Sequence, residues 1–183
     1  QKKGKRTFRT DLFSVDTADV TAIIIRTKAD PGNPLTLEKK EPVWLLKSDD
    51  KKFTAEPGMV QEALRAQNDL KASRVAATDK SGWKEFEVDD SSATKITVKR
   101  NKKILSTLYL GKFSYQMPRN ANPYDYNRQP KISTYVRVGD ENEVYVAEGL
   151  LSMIFNRRFN DYRNQTVIRS NSSDWTRLTF SYP

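Results

Sequence analysis

The stretch "TKITVKRNKKILSTLYLGK", Thr94 to Lys112, decides how this chain is read. Its two arms, "TKITVKR" and "KILSTLYLGK", are rich in β-branched and apolar residues. The Asn101–Lys102 pair between them is turn chemistry, so the arms form an antiparallel hairpin. In the second arm Leu105, Thr107 and Tyr109 fall on one side, and Ile104, Ser106, Leu108 and Leu110 on the other, because successive strand side chains alternate. Working outward, "STYVRV" and "EVYVAE" make the next hairpin about a "GDEN" turn. Upstream, "VTAIIIRTK", "LTLEKK" and "VWLLKS" read as a three-strand meander, reversing at "DPGNP" and at Glu41–Pro42.

Helices punctuate these strands. In "AEPGMVQEALRAQNDLKA" Pro57 suits the first turn, and Met59, Val60, Ala63, Leu64, Gln67 and Leu70 recur at the spacing of one helical face. "SRVAAT" follows as a short strand. Lys80 to Ser92 is a connection with Trp83, Phe86 and Val88 turned inward. "AEGLLSMIFN" reads as a second, short amphipathic helix, and "DWTRLTFSY" as a final alternating strand. The order predicts an α+β fold of antiparallel β-meanders, each followed by a helix, in two similar βββα-like halves. The expected divisions are a basic tail over 1–10, a first subunit over 11–92, and a second over 93–165 carrying a long loop at 112–131. Phe8–Arg9 leading to "DVTAIII" resembles Tyr162–Arg163 leading to "DWTRLTF", with Asp19/Asp174 and Thr21/Thr176 in register. On that echo 166–183 is expected to open a further repeat, and the native protein to continue past Pro183.

The chain has no cysteine and no histidine among its 183 residues. Disulfides, Fe–S clusters and cysteine zinc sites are thereby excluded, as are histidine-based triads. The expectation is no enzyme, no catalytic residue, no metal and no cofactor; a carboxylate-based hydrolase is the remaining catalytic alternative. The formal net charge is +9, and Lys2, Lys3, Lys5, Arg6 and Arg9 put five of those charges ahead of the first acid. No apolar run is long enough to span a bilayer. The first residue is Gln1, so a leader or anchor upstream is expected.

Two stretches invite a binding role. "FNRRFNDYRN", Phe155 to Asn164, sets three arginines among aromatics, and Lys95, Lys99, Arg100, Lys102 and Lys103 make a basic strand and turn. Phosphate neutralisation with base stacking uses such residues, but no nucleic-acid-binding motif accompanies them. The aromatics of the first stretch fit the anchors of a connector, and nucleic acid is not expected as a partner. The acidic pairs Asp16/Asp19, Asp49–Asp50 and Asp89–Asp90 sit at turns and caps, as does the group Asp140, Glu141 and Glu143. The candidate binding site is the aperiodic stretch 112–131, with Tyr115, Arg119, Asn120, Asn122, Tyr124, Tyr126 and Arg128. Tyrosine and asparagine on a rigid scaffold suit protein or glycan recognition.

Taken in order, "LFSVDTADVTAIII", "LTLEK…VWLL", "MVQEALRAQNDLKA", "SRVAA", "STLYLGK", "TYVRV…EVYVAEGLL" and "FNRRFNDYRN" resemble a family of exported bacterial proteins catalogued as a domain of unknown function. The resemblance spans most of the chain. It implies a membrane- or lipid-anchored, extracytoplasmic envelope protein encoded beside ABC-type transporter components of the gliding-motility type. It carries over no catalytic residue. The expected function is a non-catalytic binding or assembly module whose partners are envelope or transporter proteins, held to the membrane by an anchor upstream of residue 1. The alternative is a carbohydrate- or cell-wall-binding module using the Tyr/Asn-rich loop.

Overall fold

The computed structural model describes residues 9–48, 51–116, 130–166, 171–177, 179 and 181. Its core is one antiparallel sheet of nine strands: β1 (Ala22–Arg26), β2 (Leu35–Lys40), β3 (Val43–Ser48), β4 (Lys51–Thr54), β5 (Ala72–Ala77), β6 (Thr94–Arg100), β7 (Lys103–Gln116), β8 (Lys131–Val138) and β9 (Val144–Glu148). Their order across the sheet is β4-β3-β2-β1-β6-β7-β8-β9-β5. Helices are few: α1 (Pro57–Asn68), with α2 (Ser152–Phe155) and α3 (Phe159–Tyr162) of four residues each.

This corrects the expected fold class. The protein is not an α+β arrangement of two βββα-like halves with a helix closing each meander. One large sheet takes all nine strands of the described residues. The reason lies in the middle of the sheet, where β1 pairs with β6 and sets Ile23 opposite Val98 and Ile25 opposite Ile96. All four are essentially unexposed. Two separate halves would leave both of these apolar rows at open edges, so pairing them into one sheet is the better burial.

The chain reaches both edges through α1. Starting from β4 at one edge, this helix lays Val60, Ala63 and Gln67 on the sheet and delivers β5 to the other edge. The buried Gln67 amide donates to Ser106 Oγ at 2.9 Å, which satisfies a polar group inside the core. Phe155 and Tyr162 from the α2–α3 region complete the helical layer. Each edge is then closed by irregular chain. Glu56 N–H donates to Tyr162 O and Asn164 N–H to Thr54 O beside β4, while Ala72 N–H donates to Thr10 O beside β5.

Among the described residues the second face is covered over part of its width. Residues 79–93 form a strap across β7, β8 and β9, with Val88 fully buried and the Phe86 ring 4.5 Å from that of Tyr135. For this reason Leu108, Tyr109 and Leu110 are all buried, where strict alternation would leave one side of the strand wet. Leu105 is the extra residue of a bulge between the Val98–Ser106 and Lys99–Ile104 pairs, and it packs against the core. Gly111 lies in a second irregularity, and a Cβ there would sit 2.0 Å from Phe86 O. Only glycine lets the strap lie this close.

Under the strap Arg137 is 2% exposed. Its guanidinium lies 3.9 Å from the Trp83 ring centre and 3.5 Å from that of Tyr109. Nε donates to Val88 O and Nη1 to Gly139 O. Lys80 over Trp83 and Lys95 over Tyr109 extend the stack at either end. The strap is therefore pinned to the sheet by an alternating column of cations and rings.

Candidate functional site

The strap reaches the margin of the other half of the sheet, where Asp90 meets Lys95 on β6 and Glu87 meets Lys28 just beyond β1, and the side chains that β1–β4 and β6 present to this face are half-buried or exposed. Register defines what that face contains. Opposed pairs share a side, so Thr36 lies beside Lys47, which lies beside Lys52, and Glu38 lies beside Leu45 and Ala22. Ala22, Ile24 and Arg26 pair in turn with Lys99, Thr97 and Lys95. None of these residues is buried, whereas their alternates Ile23, Ile25, Leu37, Leu46, Ile96 and Val98 all are. The open half-sheet thus has Ile24, Ala22, Leu45 and Thr36 near its middle. Arg26, Lys40, Lys47, Lys52, Lys95 and Lys99 surround them.

Its electrostatics are one-sided. Glu38 is the carboxylate among those residues, and Lys47 Nζ holds it at 2.8 Å. The Lys47 hydrogen bond, with the charges of Lys47, Lys40 and Lys52, keeps Glu38 below the usual carboxylate range against the modest opposing effect of its burial. Lys95 reaches Asp90 at 3.7 Å. Arg26, Lys40, Lys52 and Lys99 have no ion pair among the described residues. Lys95 and Lys99 belong to the basic strand noted in the sequence, and their neighbour Arg100 is tied to Asp19 at 3.0 Å.

The sequence-nominated loop stands elsewhere. Tyr115 is on β7 opposite Ile132 and 56% exposed, two residues beyond the exposed Phe113. Arg119, Asn120, Asn122, Tyr124, Tyr126 and Arg128 lie outside the described residues, so Tyr115 is the member of that set the structure places. At the root of the loop Ser114, Gln116 and Lys131 line a cleft of about 880 Å³ with Arg74, Glu148 and Ser133. Lys131 Nζ is 2.6 Å from Glu148 within it.

The "FNRRFNDYRN" stretch is largely structural. Phe155 and Tyr162 are buried, with the Tyr162 hydroxyl donating to Ile154 O at 2.9 Å. Arg157 bridges Glu62 on α1 at 2.9 Å, and Arg163 covers the Phe53 ring at 4.5 Å. Asn156, Arg158 and Phe159 also form one wall of a cleft of about 1110 Å³ against the β1–β2 turn.

Asp16, Asp79 and Asp89 do what turn residues do, and Asp49–Asp50 lie outside the described residues. Asp16 accepts from Ala18 N–H, Asp79 from Ser81 and Asp89 from Ser91 and Ser92. Among the described residues no cluster of three or more acids could hold a metal ion.

No family model, no curated protein and no solved structure matches this chain. The fold and the open half-sheet therefore carry the functional argument.

Proposed function

We propose that this protein is a non-catalytic binding and assembly module, and that its open half-sheet is where a partner protein docks. The observation behind this reading is the asymmetry of the second face: β7–β9 are covered by a pinned strap, while the side chains that β1–β4 and β6 present there are half-buried or exposed among the described residues. A sheet face of that kind, apolar in the middle and charged around it, has the anatomy of a protein interface rather than of a pocket that encloses a small substrate. Placing the module on the extracytoplasmic side of a bacterial envelope, as an accessory to an ABC-type transporter, rests on the resemblance of its ordered sequence stretches.

The test is site-specific photocrosslinking in native membranes. A crosslinker at Thr36 or Thr97 should capture envelope or transporter subunits, and one at Glu85 on the outside of the strap should not. Equal yields at both positions, or none at either, count against the reading.

A second reading has its own support in the polar cleft at the loop root, whose Arg74, Gln116 and Lys131 offer hydrogen-bond donors suited to a saccharide. Saturable binding to a polysaccharide, weakened by Tyr124→Ala with Tyr126→Ala and by Gln116→Ala, would favour it. No binding across a polysaccharide panel would end it.

A further inference from the structure

We infer that the partner surface meeting the open half-sheet is that of an acidic protein, an inference that rests on the docking role proposed for this face. Six cations against one carboxylate is the imbalance to be explained. Four of them (Arg26, Lys40, Lys52 and Lys99) have no ion pair among the described residues. In water such charges cost little, because solvent screens them. Closing an apolar or basic surface over them would strip that solvent without compensation, so the complementary surface must bring carboxylates.

The same geometry disfavours the other polyanions and a second copy. Five strands spaced about 4.8 Å apart make a face roughly 19 Å wide, too broad to enter a major groove of about 12 Å. Among the described residues the open face presents no aromatic side chain for single-stranded bases to stack on, since Trp44 packs against the core. A second copy would set lysine against lysine. A membrane surface would find little to take up, because Ile24 and Leu45 are half-buried and Val43, at the margin opposite Lys40, is the exposed apolar side chain of this face among the described residues.

The area sets the strength. Strands contributing about five residues at roughly 3.4 Å each give a patch on the order of 300 Å², well below the roughly 800 Å² per partner of a stable complex. The contact is therefore weak and salt-sensitive, with charge contributing mainly to encounter rate and register.

The full chain, isotope-labelled for NMR, would be titrated with a ten-residue polyglutamate peptide, a 20-base-pair DNA duplex and vesicles containing phosphatidylglycerol. Polyglutamate should shift the amides of Thr36, Leu45 and Thr97. K40E/K52E/K99E should weaken its binding at least tenfold, whereas K84E/K102E/K103E, with the same net charge, should change it less than twofold. Equal weakening by both triples overturns the inference, as does duplex or vesicle binding at this face that K40E/K52E/K99E abolishes at least as strongly. Photocrosslinking from Thr97 separates this from failure of the docking role. Yield lost with the bulky T36W but kept with K40E/K52E/K99E means the face docks a partner that is not acidic. Yield kept in both means the face does not dock one.

Discussion

Replacing Arg137 tests whether a buried cation, rather than apolar packing alone, holds the strap on the sheet. Its guanidinium makes two hydrogen bonds to carbonyls, Val88 O at 3.0 Å and Gly139 O at 2.7 Å. Bonds of this charge-assisted kind are worth about 1.5–3 kcal/mol each. The two faces against Trp83 and Tyr109 add about 0.5–2 kcal/mol each. Opposing this is the cost of taking the charge out of water, several kcal/mol. Nη2 is also buried without a hydrogen-bond partner, and the nearest carboxylate, Asp90, is 4.0 Å away and largely exposed. The terms nearly cancel, so what decides the sign is the state left behind. Arg137→Met keeps most of the volume but orphans two carbonyls, and should cost about 2 kcal/mol. Arg137→Ala also removes the stacked stem and should cost about 4 kcal/mol. Arg137→Lys keeps the charge but loses the planar fork, and should fall near Met rather than near the parent. Urea unfolding gives the free energies, and amide exchange at Phe86 and Val88 should quicken more than exchange at Ile23. An Arg137→Met protein as stable as the parent would refute the argument, because desolvation would then outweigh every contact the guanidinium makes.

Other perturbations follow from the same contacts. Gly111→Ala should cost about 2 kcal/mol and lower Tm by roughly 4–8 °C, because its methyl group meets Phe86 O and the Val88 side chain; an unchanged melting curve would mean the strap sits further out. Tyr162→Phe removes the hydroxyl that donates to Ile154 O and should cost about 1 kcal/mol by urea unfolding, with no change in fold by circular dichroism. Burial pushes the phenols of Tyr145 and Tyr162 up to about 12, with the Glu141 hydrogen bond adding to the effect at Tyr145. Since their unfolded value is about 10, the stability they contribute is complete below pH 10 and lost as pH rises through 12. At the acid end Asp89 titrates low. Its burial, which acts to raise it, is outweighed by hydrogen bonds from Ser91 and Ser92, so its contribution is present above about pH 4 and lost below. With neither histidine nor cysteine, the side chains leave stability flat between about pH 5 and 9; a step near pH 6–7 in the unfolding midpoint would contradict this.

What the sequence disclosed and what it hid divide along a physical line. Local pattern placed "LTLEKK", "VWLLKS" and "TKITVKR" at the bounds of β2, β3 and β6, and the apolar spacing of α1 located its buried face. Sheet order is a long-range property, and nothing local says that β1 will pair with β6 or that α1 will carry β5 to the opposite edge. The four residues of β4 were missed because "KKFT" has one apolar side chain, Phe53, whose partner Phe159 is far along the chain. "DWTRLTFSY" alternates like a strand, yet its described members 174–177, 179 and 181 form no strand and are exposed. Alternation is necessary for a half-buried strand but supplies no neighbour to pair with.

The candidate site follows the same logic. Each lysine of the open face looks like an ordinary solubilising residue on its own strand. Lys95 and Lys99 alternate with Ile96 and Val98, and Lys40 closes a run that alternates with Leu37. One charge on each second position is what any half-exposed strand carries. The bias becomes visible only when register sets five strands side by side and Glu38 is the one acid among them. Arg137, which the local pattern of "TYVRV" did not single out, lies where the second layer crosses the sheet. The two observations are connected. Because the strap and its cation–ring column stop at β6, the lysines beyond it stay in solvent. A partner covering the remaining half would complete on the second face the burial that the strap begins.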